Sequence, residues 1–223
     1  YRPVGVKGRL PLVILSHGFG VTHRDGEGYA ELLTRMGYLC YTFDFNGGGR
    51  ESLSAGATTD MSVLTEQADL NAVIDQLKRR SDVDPRYITL LGLSQGGLVS
   101  ALTAASRPDD IASLILIYPA FSIPEMARKQ WGEYSKIPQV NTLWGMRLGE
   151  KYYKDVWNID TYAAIGRFQG PVLILHGDKD RIVEPVSYTL FRAHETVLDL
   201  VCRLLLEKKQ LLKYSTRSNK QTN

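Results

Sequence analysis

Residues Leu90-Leu91-Gly92-Leu93-Ser94-Gln95-Gly96-Gly97 constrain the chain more than any other stretch. The apolar run 87–91 predicts a buried strand and residues 97–106 predict a helix, so Gly92-x-Ser94-x-Gly96 falls on the junction between them. A serine turned sharply between strand and helix has a strained backbone and close neighbours, which flanking glycines permit. Such a turn lifts the hydroxyl out at the carboxyl end of the strand. It also points the helix N-terminus at any negative charge formed there. Ser94 is therefore the candidate nucleophile.

The rest of the chain alternates strand and helix around this junction. Residues 12–16 predict a short strand, 29–36 a helix stopped by Gly37, and 39–45 a second strand leading into Asn46-Gly47-Gly48-Gly49. Residues 62–80 predict a long amphipathic helix with Leu64, Ala68, Val73, Ile74 and Leu77 near one face. Asp84-Pro85 predicts a turn ahead of the serine strand, and residues 113–118 and 172–176 predict two further apolar strands. Strands alternating with helices imply parallel β-α-β units, and strands this apolar are covered on both faces. The expected fold is a doubly wound, mostly parallel α/β sheet whose ligand lies beyond the carboxyl ends of its strands. His17, Asp44, Ser94, Tyr118 and His176 all stand at or just after such ends.

Residues 121–168 interrupt the alternation. They hold Trp131, Trp144 and Trp157 together with Phe121, Tyr134, Tyr152, Tyr153, Tyr162 and Phe168. Two readings fit: an ordinary packed excursion, or a lid whose rings line a pocket for an apolar or aromatic group.

Composition narrows the function classes. A chain of 223 residues suits one α/β domain spanning 1–223. Tyr1-Arg2-Pro3 offers neither an initiator Met nor a signal-peptide core, as expected of a processed end or a fragment. No apolar run approaches the roughly 20 residues that cross a bilayer, so no membrane partner and a cytoplasmic location are expected. The net charge of +3 belongs to the C-terminal end, where Arg203, Lys208, Lys209, Lys213, Arg217 and Lys220 face Glu207 alone. The remainder is slightly acidic, which argues against nucleic acid as a partner. Cys40 and Cys202 suggest neither a disulfide framework nor a metal cluster. Gly18-Phe19-Gly20 opens like a dinucleotide fingerprint, but His23 occupies the third glycine position, and Gly47-Gly48-Gly49 lacks a following Gly-Lys-Ser/Thr. No cofactor is expected.

A serine hydroxyl needs a base, usually a carboxylate to orient that base, and backbone donors for the oxyanion. The N–H after the nucleophile belongs to Gln95. His17-Gly18-Phe19-Gly20 fits the second donor loop through the Phe19 N–H, with the His17 imidazole fixing the loop. The acid should follow a late strand, and His176-Gly177-Asp178-Lys179-Asp180 supplies Asp178, which looks like a turn residue, and Asp180, deeper in the loop. Spacing leaves both open.

In order along the chain stand His17-Gly18-Phe19-Gly20, Asp44-Phe45-Asn46-Gly47, Met61-Ser62-Val63-Leu64-Thr65-Glu66, Gly92-Leu93-Ser94-Gln95-Gly96-Gly97 and His176-Gly177-Asp178-Lys179-Asp180. The set resembles the α/β-hydrolase superfamily over residues 10 to about 187. Within it the chain is similar to small bacterial carboxylesterases related to cinnamoyl/feruloyl esterases and dienelactone-hydrolase-like proteins. The resemblance implies Ser94 as nucleophile, Asp180 as triad acid, Phe19 and Gln95 as oxyanion donors, and 121–168 as the substrate-binding lid. It further implies acyl-enzyme hydrolysis of a small-molecule ester, aromatic (cinnamoyl-type) esters included, and allows a homodimer.

The C-terminal end departs from that pattern. In this family the catalytic His follows a last strand on a Gly-rich loop. Here only His194 follows Asp180, 14 residues on, and no glycine lies beyond Gly177. It sits inside a helical pattern over 189–212, with Leu190, Ala193, Val197, Val201, Leu204 and Leu205 at three- and four-residue steps. Either His194 is recruited from that helix to complete the triad, or residues 188–223 are an atypical helical and polar tail, a truncation, a frameshifted end or a divergent replacement of the family's own end, with His194 an ordinary helix residue. The second reading predicts an impaired hydrolase-fold protein that binds a small ligand. His23 is the weaker substitute base, and a serine peptidase or thioesterase is the alternative enzyme of the same fold.

Overall fold

Alternation along the first strand decides how the layers form. In β1 (Leu10–Ser16), Leu12 and Ile14 point to one apolar cluster while Val13 and Leu15 point to another. The computed structural model describes residues 1–177 and 179–183, all within one compact unit. The first cluster takes Leu70, Ile74 and Leu77 of α2 (Val63–Lys78) and Leu98 and Leu102 of α3 (Gln95–Ser106). The second takes Ala30 and Leu33 of α1 (Glu27–Arg35). Helices thus cover both faces, as the apolar strands require.

The sheet adds β2 (Leu39–Thr42), β3 (Val83–Leu93), β4 (Ser113–Ile117) and β7 (Val172–Leu175) in the order β2-β1-β3-β4-β7. Every pair in it is parallel. The chain steps from β1 outward to β2 and then returns to the other side of β1 as β3. That reversal opens a crevice at the carboxyl ends of β1 and β3, where doubly wound folds place ligands. Ser94 follows β3 there, and His17 follows β1.

Three local expectations shift. The second strand ends at Thr42 rather than running to Phe45. Asp84-Pro85 lies inside β3, at the point where the β1–β3 register jumps between Leu10↔Val83 and Leu12↔Ile88. A proline is tolerated at such an irregularity because no ladder donor is required of it. On α2 the buried residues are Val63, Glu66, Leu70, Ile74 and Leu77, so Leu64 is exposed and a carboxyl takes a place on the buried face. Ser62 caps this helix reciprocally with Thr65.

The segment between β4 and β7 carries α4 (Ile123–Trp131), the antiparallel hairpin of β5 (Val140–Leu143) and β6 (Met146–Gly149), α5 (Lys151–Lys154) and α6 (Thr161–Ile165). Trp144 and Gly145 form the two-residue hairpin turn at φ 45° and 76°, both in the left-handed region. The Thr58 hydroxyl donates to the Arg147 carbonyl (2.6 Å) and the Ser62 hydroxyl to Asp155 (2.5 Å), tying the insertion to the body. The helix expected over 189–212, the polar end and His194 lie outside the described residues, as does Asp178. Among the described residues no helix is long and apolar enough to cross a membrane.

Candidate active site

Ser94 sits at φ 51°, ψ −117°, a region that L-residues rarely occupy. The surroundings over-determine it. Its N–H donates to the Ile117 carbonyl (3.0 Å), and its own carbonyl accepts from Gly97 and Ala120 N–H groups (both 2.9 Å). A side chain at Gly92 would collide with the Gly96 backbone, and one at Gly96 with the Ser16 and His17 carbonyls. A Cβ at Gly97 would stand 2.8 Å from Pro119. The glycines therefore let β1, β3 and α3 close on one another while the serine hydroxyl is pushed out.

The loop after β1 is fixed by His17, which is 2 % exposed. Its Nε2 accepts the Phe45 N–H (3.1 Å), so Nδ1 carries the proton and donates to the Gly18 carbonyl (2.8 Å). Burial lowers its basicity, and the ring stays neutral. Its place is structural, as the sequence suggested. Gly20 joins the loop to the next one through Gly48 (N–H to carbonyl, 3.1 Å). A Cβ at Gly18 would approach the Ser94 Cβ at 3.3 Å, so the loop lies against the serine. No hydrogen bond to another described residue engages the backbone N–H of Phe19 or of Gln95.

His23 is held differently. Asp44 accepts both its backbone N–H (2.6 Å) and its ring Nδ1 (2.8 Å), along with the Leu53 N–H (2.8 Å). Burial opposes ionisation of Asp44, but these donors outweigh it and hold the carboxyl below its ordinary value. The pair pins two loops together.

Asp180 ends a short turn after β7. Its Oδ1 accepts the Ile182 and Val183 N–H groups (2.9 and 3.1 Å), and its Oδ2 lies 3.4 Å from His176 Nε2. Partial burial would raise this carboxyl, yet the two N–H donors and His176 hold it below the ordinary range, so it is ionised at neutral pH. The His176 Nε2 also donates to the Val183 carbonyl (2.8 Å).

Ser94, Phe19 and Gln95 line one cleft with Ala120, Ile123, Leu143, Trp144, Tyr152, Ile182 and Val183. Its enclosed volume is about 80 Å³, beyond which it opens to solvent. The Phe19 ring meets Trp144 and Tyr152 edge-on, each with centroids 5.6 Å apart. Asp180 reaches the cleft through Ile182 and Val183, whose backbone it holds. The structure thus gathers the candidate nucleophile and both candidate donors in one place, and His194 is not among the described residues.

Sequence reasoning missed Glu66 and Tyr152 as neighbours of this site. The Gln95 side chain donates to Glu66 Oε2 (2.9 Å) and accepts the Tyr152 hydroxyl (2.8 Å). The available signal was Glu66 itself, three residues after Val63 on the apolar face of α2. Among the described residues no group of His, Cys, Asp or Glu could hold a metal ion.

The family model described as serine aminopeptidase, S33 (Hydrolase_4) matches residues 9–164. Est1E from Butyrivibrio proteoclasticus, solved with ferulic acid bound, superposes with a TM-score of 0.76 at 29 % identity, covering 85 % of this chain and 77 % of that one. Human monoglyceride lipase is 30 % identical over 57 % of this chain and 40 % of its own length. The pimeloyl-[acyl-carrier protein] methyl ester esterase of Aeromonas salmonicida (strain A449) is 32 % identical over 56 % of this chain and 43 % of its own. The chain spans less than half the length of these two curated relatives. The matched segment contains four of the five parallel strands, the strained serine and the loop after β1, all in the expected order. The chain belongs to the serine aminopeptidase S33 family of the α/β-hydrolase superfamily.

Proposed function

We propose that the protein is a serine carboxylic-ester hydrolase acting on small esters with an apolar or aromatic acyl group. One observation carries this reading. The strained Ser94 lines an apolar cleft together with Phe19 and Gln95, whose backbone N–H groups donate to no other described residue. Ser94 Oγ attacks the ester carbonyl carbon and passes its proton to the base, while the oxyanion takes the Phe19 and Gln95 N–H groups. The alcohol leaves with that proton. Water then attacks the acyl-enzyme and gives a proton to the same base, which passes it to the departing Ser94 Oγ as the carboxylic acid is released. We assign Asp180 as the orienting carboxylate and His194 as the base.

The cleft also weighs against an amino-terminal peptidase. Such an enzyme must take the charged ammonium of its substrate, and no Asp or Glu stands among the described residues lining the cleft. An apolar acyl chain fits those walls, and the names of Est1E's bound ligand, monoglyceride lipase and the pimeloyl methyl ester esterase point the same way. A fluorophosphonate probe tests the chemistry. Labelling of the wild type that is lost in Ser94→Ala, with turnover of aryl and short-chain esters exceeding that of aminoacyl arylamides, is the expected result. Absence of labelling in well-folded wild type would overturn it in favour of a ligand-binding protein. Faster turnover of the arylamides would restore the peptidase.

A further inference from the structure

We propose that Glu66 is a positioning residue for the oxyanion site, acting through the side chain of Gln95 and, beyond it, the hydroxyl of Tyr152. This rests on the reading above, in which the Gln95 backbone N–H is an oxyanion donor. Gln95 is the first residue of α3, so its N–H has no helical partner, and the peptide plane that carries it is held on one side by the Ser94 carbonyl, which accepts the Gly97, Leu98 and Ala120 N–H groups. The Gln95 side chain holds the other end of that plane. The amide is 1 % exposed and satisfied at both ends, with Nε2 donating to Glu66 Oε2 (2.9 Å) and Oε1 accepting the Tyr152 hydroxyl (2.8 Å). Nε2 also lies 3.7 Å from Met61 Sδ. An amide bonded at both ends has one orientation, since a flip would face like with like.

The chain of groups crosses three parts of the molecule. Glu66 belongs to α2, Gln95 to the serine turn, and Tyr152 to α5 of the insertion. Tyr152 carries the network into the cleft wall, where its ring packs on Phe19, the residue bearing the second oxyanion donor. One buried carboxyl therefore supports one donor residue through its side chain and reaches the side chain of the other through a ring contact.

Glu66 is costly to keep where it is. It is 1 % exposed, and its Oε1 has no hydrogen-bond partner among the described residues. Burial pushes its carboxyl up to about 8, the Gln95 amide opposing and Asp69 adding to the rise. An apolar residue would fill the same place on α2 without that penalty. What an apolar residue cannot do is hold the Gln95 amide. Losing it would leave a buried amide unsatisfied next to the nucleophile and loosen the Gln95 end of the donor's peptide plane.

The test compares Glu66→Leu, Glu66→Gln and wild type by turnover and by the amide resonances of Gln95. In Glu66→Leu the kcat is expected to fall on the order of tenfold with KM within about twofold, because a misaligned donor acts on the transition state. Backbone and side-chain amide signals of Gln95 should shift, with side-chain amide exchange at least about tenfold faster. Glu66→Gln, which keeps an acceptor for Gln95 Nε2, should recover both. Unmoved Gln95 signals in a folded Glu66→Leu would overturn the proposal whether or not the wild type turns over ester. Moved signals with an unchanged kcat would overturn it as well. A wild type without turnover removes the esterase reading but leaves the Gln95 signals to decide the linkage. Should Glu66→Leu fail to fold, Tyr152→Phe breaks the same chain from its other end, and a kcat and Gln95 signals equal to wild type there would refute it.

Discussion

Ser94 and Trp144 are both held at positive φ, 51° and 45°, and both line the same cleft, yet their backbones are kept there by opposite means. Around Ser94 the restraint is buried and made of backbone: four hydrogen bonds to its own peptide groups and glycines packed where no Cβ fits. Around Trp144 the restraint is a two-residue hairpin turn at the surface, and the residue is 68 % exposed. Strain at the first site is sustained by the whole sheet, so it serves a group whose position must not vary. Strain at the second is sustained only by a local turn, so it displays a ring without fixing it firmly.

The comparison breaks most severely at Gly96. In Gly96→Ala the new methyl would collide with the Ser16 and His17 carbonyls, neither of which can move without opening β1 or the loop that carries Phe19. A loss of about 3–5 kcal/mol is expected, a large share of the roughly 5–15 kcal/mol that holds a typical domain folded. The hairpin counterpart is Gly145→Ala, where the methyl meets the end of the Arg50 side chain instead (2.6 Å from Nη2) and φ is 76°. That end can swing away, so about 1 kcal/mol remains, from the backbone alone. Urea unfolding of both variants measures the contrast. Equal losses at the two glycines would show that the turn at Ser94 is no more restrained than the hairpin tip.

The serine turn was legible in the sequence because its requirement is for absence of side chain, and Gly92, Gly96, Gly97 and Gly18 record that directly. The parallel sheet was legible for a similar reason: strands covered on both faces have to be apolar throughout. The hairpin was not. A two-residue turn with both φ values positive is usually announced by Asn-Gly or Asp-Gly, and Trp144-Gly145 carries only half of that signal. Pro85 misled in the other direction, since a proline reads as a strand breaker unless the ladder happens to skip there. Glu66 was hidden because a carboxyl on a helix is ordinarily solvated. Its partner Gln95 lies 29 residues away and the next link, Tyr152, a further 57, distances at which periodicity carries no information.

Burial of that carboxyl sharpens the same contrast through pH. Folded Glu66 keeps its proton up to about 8, against 4.5 when unperturbed. Between those values the folded state binds more protons than the unfolded one, so stability falls as pH rises through that window. The loss is absent below the ordinary carboxylate value and complete above about 8, amounting to a few kcal/mol. The melting temperature of the wild type should therefore drop from pH 5 to pH 8.5 more than that of Glu66→Gln. Parallel curves would mean that water or a rearranged partner reaches Glu66 as it ionises. No comparable dependence is expected from the hairpin tip, whose turn residues Trp144 and Gly145 carry no titratable side chain.

The smallest effect on stability belongs to Trp144→Asn, and its value lies in separating display from support. Asn accepts the left-handed conformation readily, and Asn-Gly is the preferred sequence for this turn, so the backbone gains up to about 1 kcal/mol. Against this stands the edge-on contact with the Phe19 ring, centroids 5.6 Å apart, worth about 0.5–1.5 kcal/mol. The two terms nearly cancel, and the melting temperature should move by no more than a few degrees. Binding should not cancel in the same way, because Asn replaces only the backbone role of Trp144 and leaves the cleft without its indole wall. For an aryl ester the expected result is a KM raised several-fold with kcat little changed, the signature of lost ground-state contact. A kcat that falls as far as in Glu66→Leu would place the hairpin tip among the groups that hold the oxyanion donors. It would then no longer be the loosely restrained wall that the comparison with Ser94 makes it.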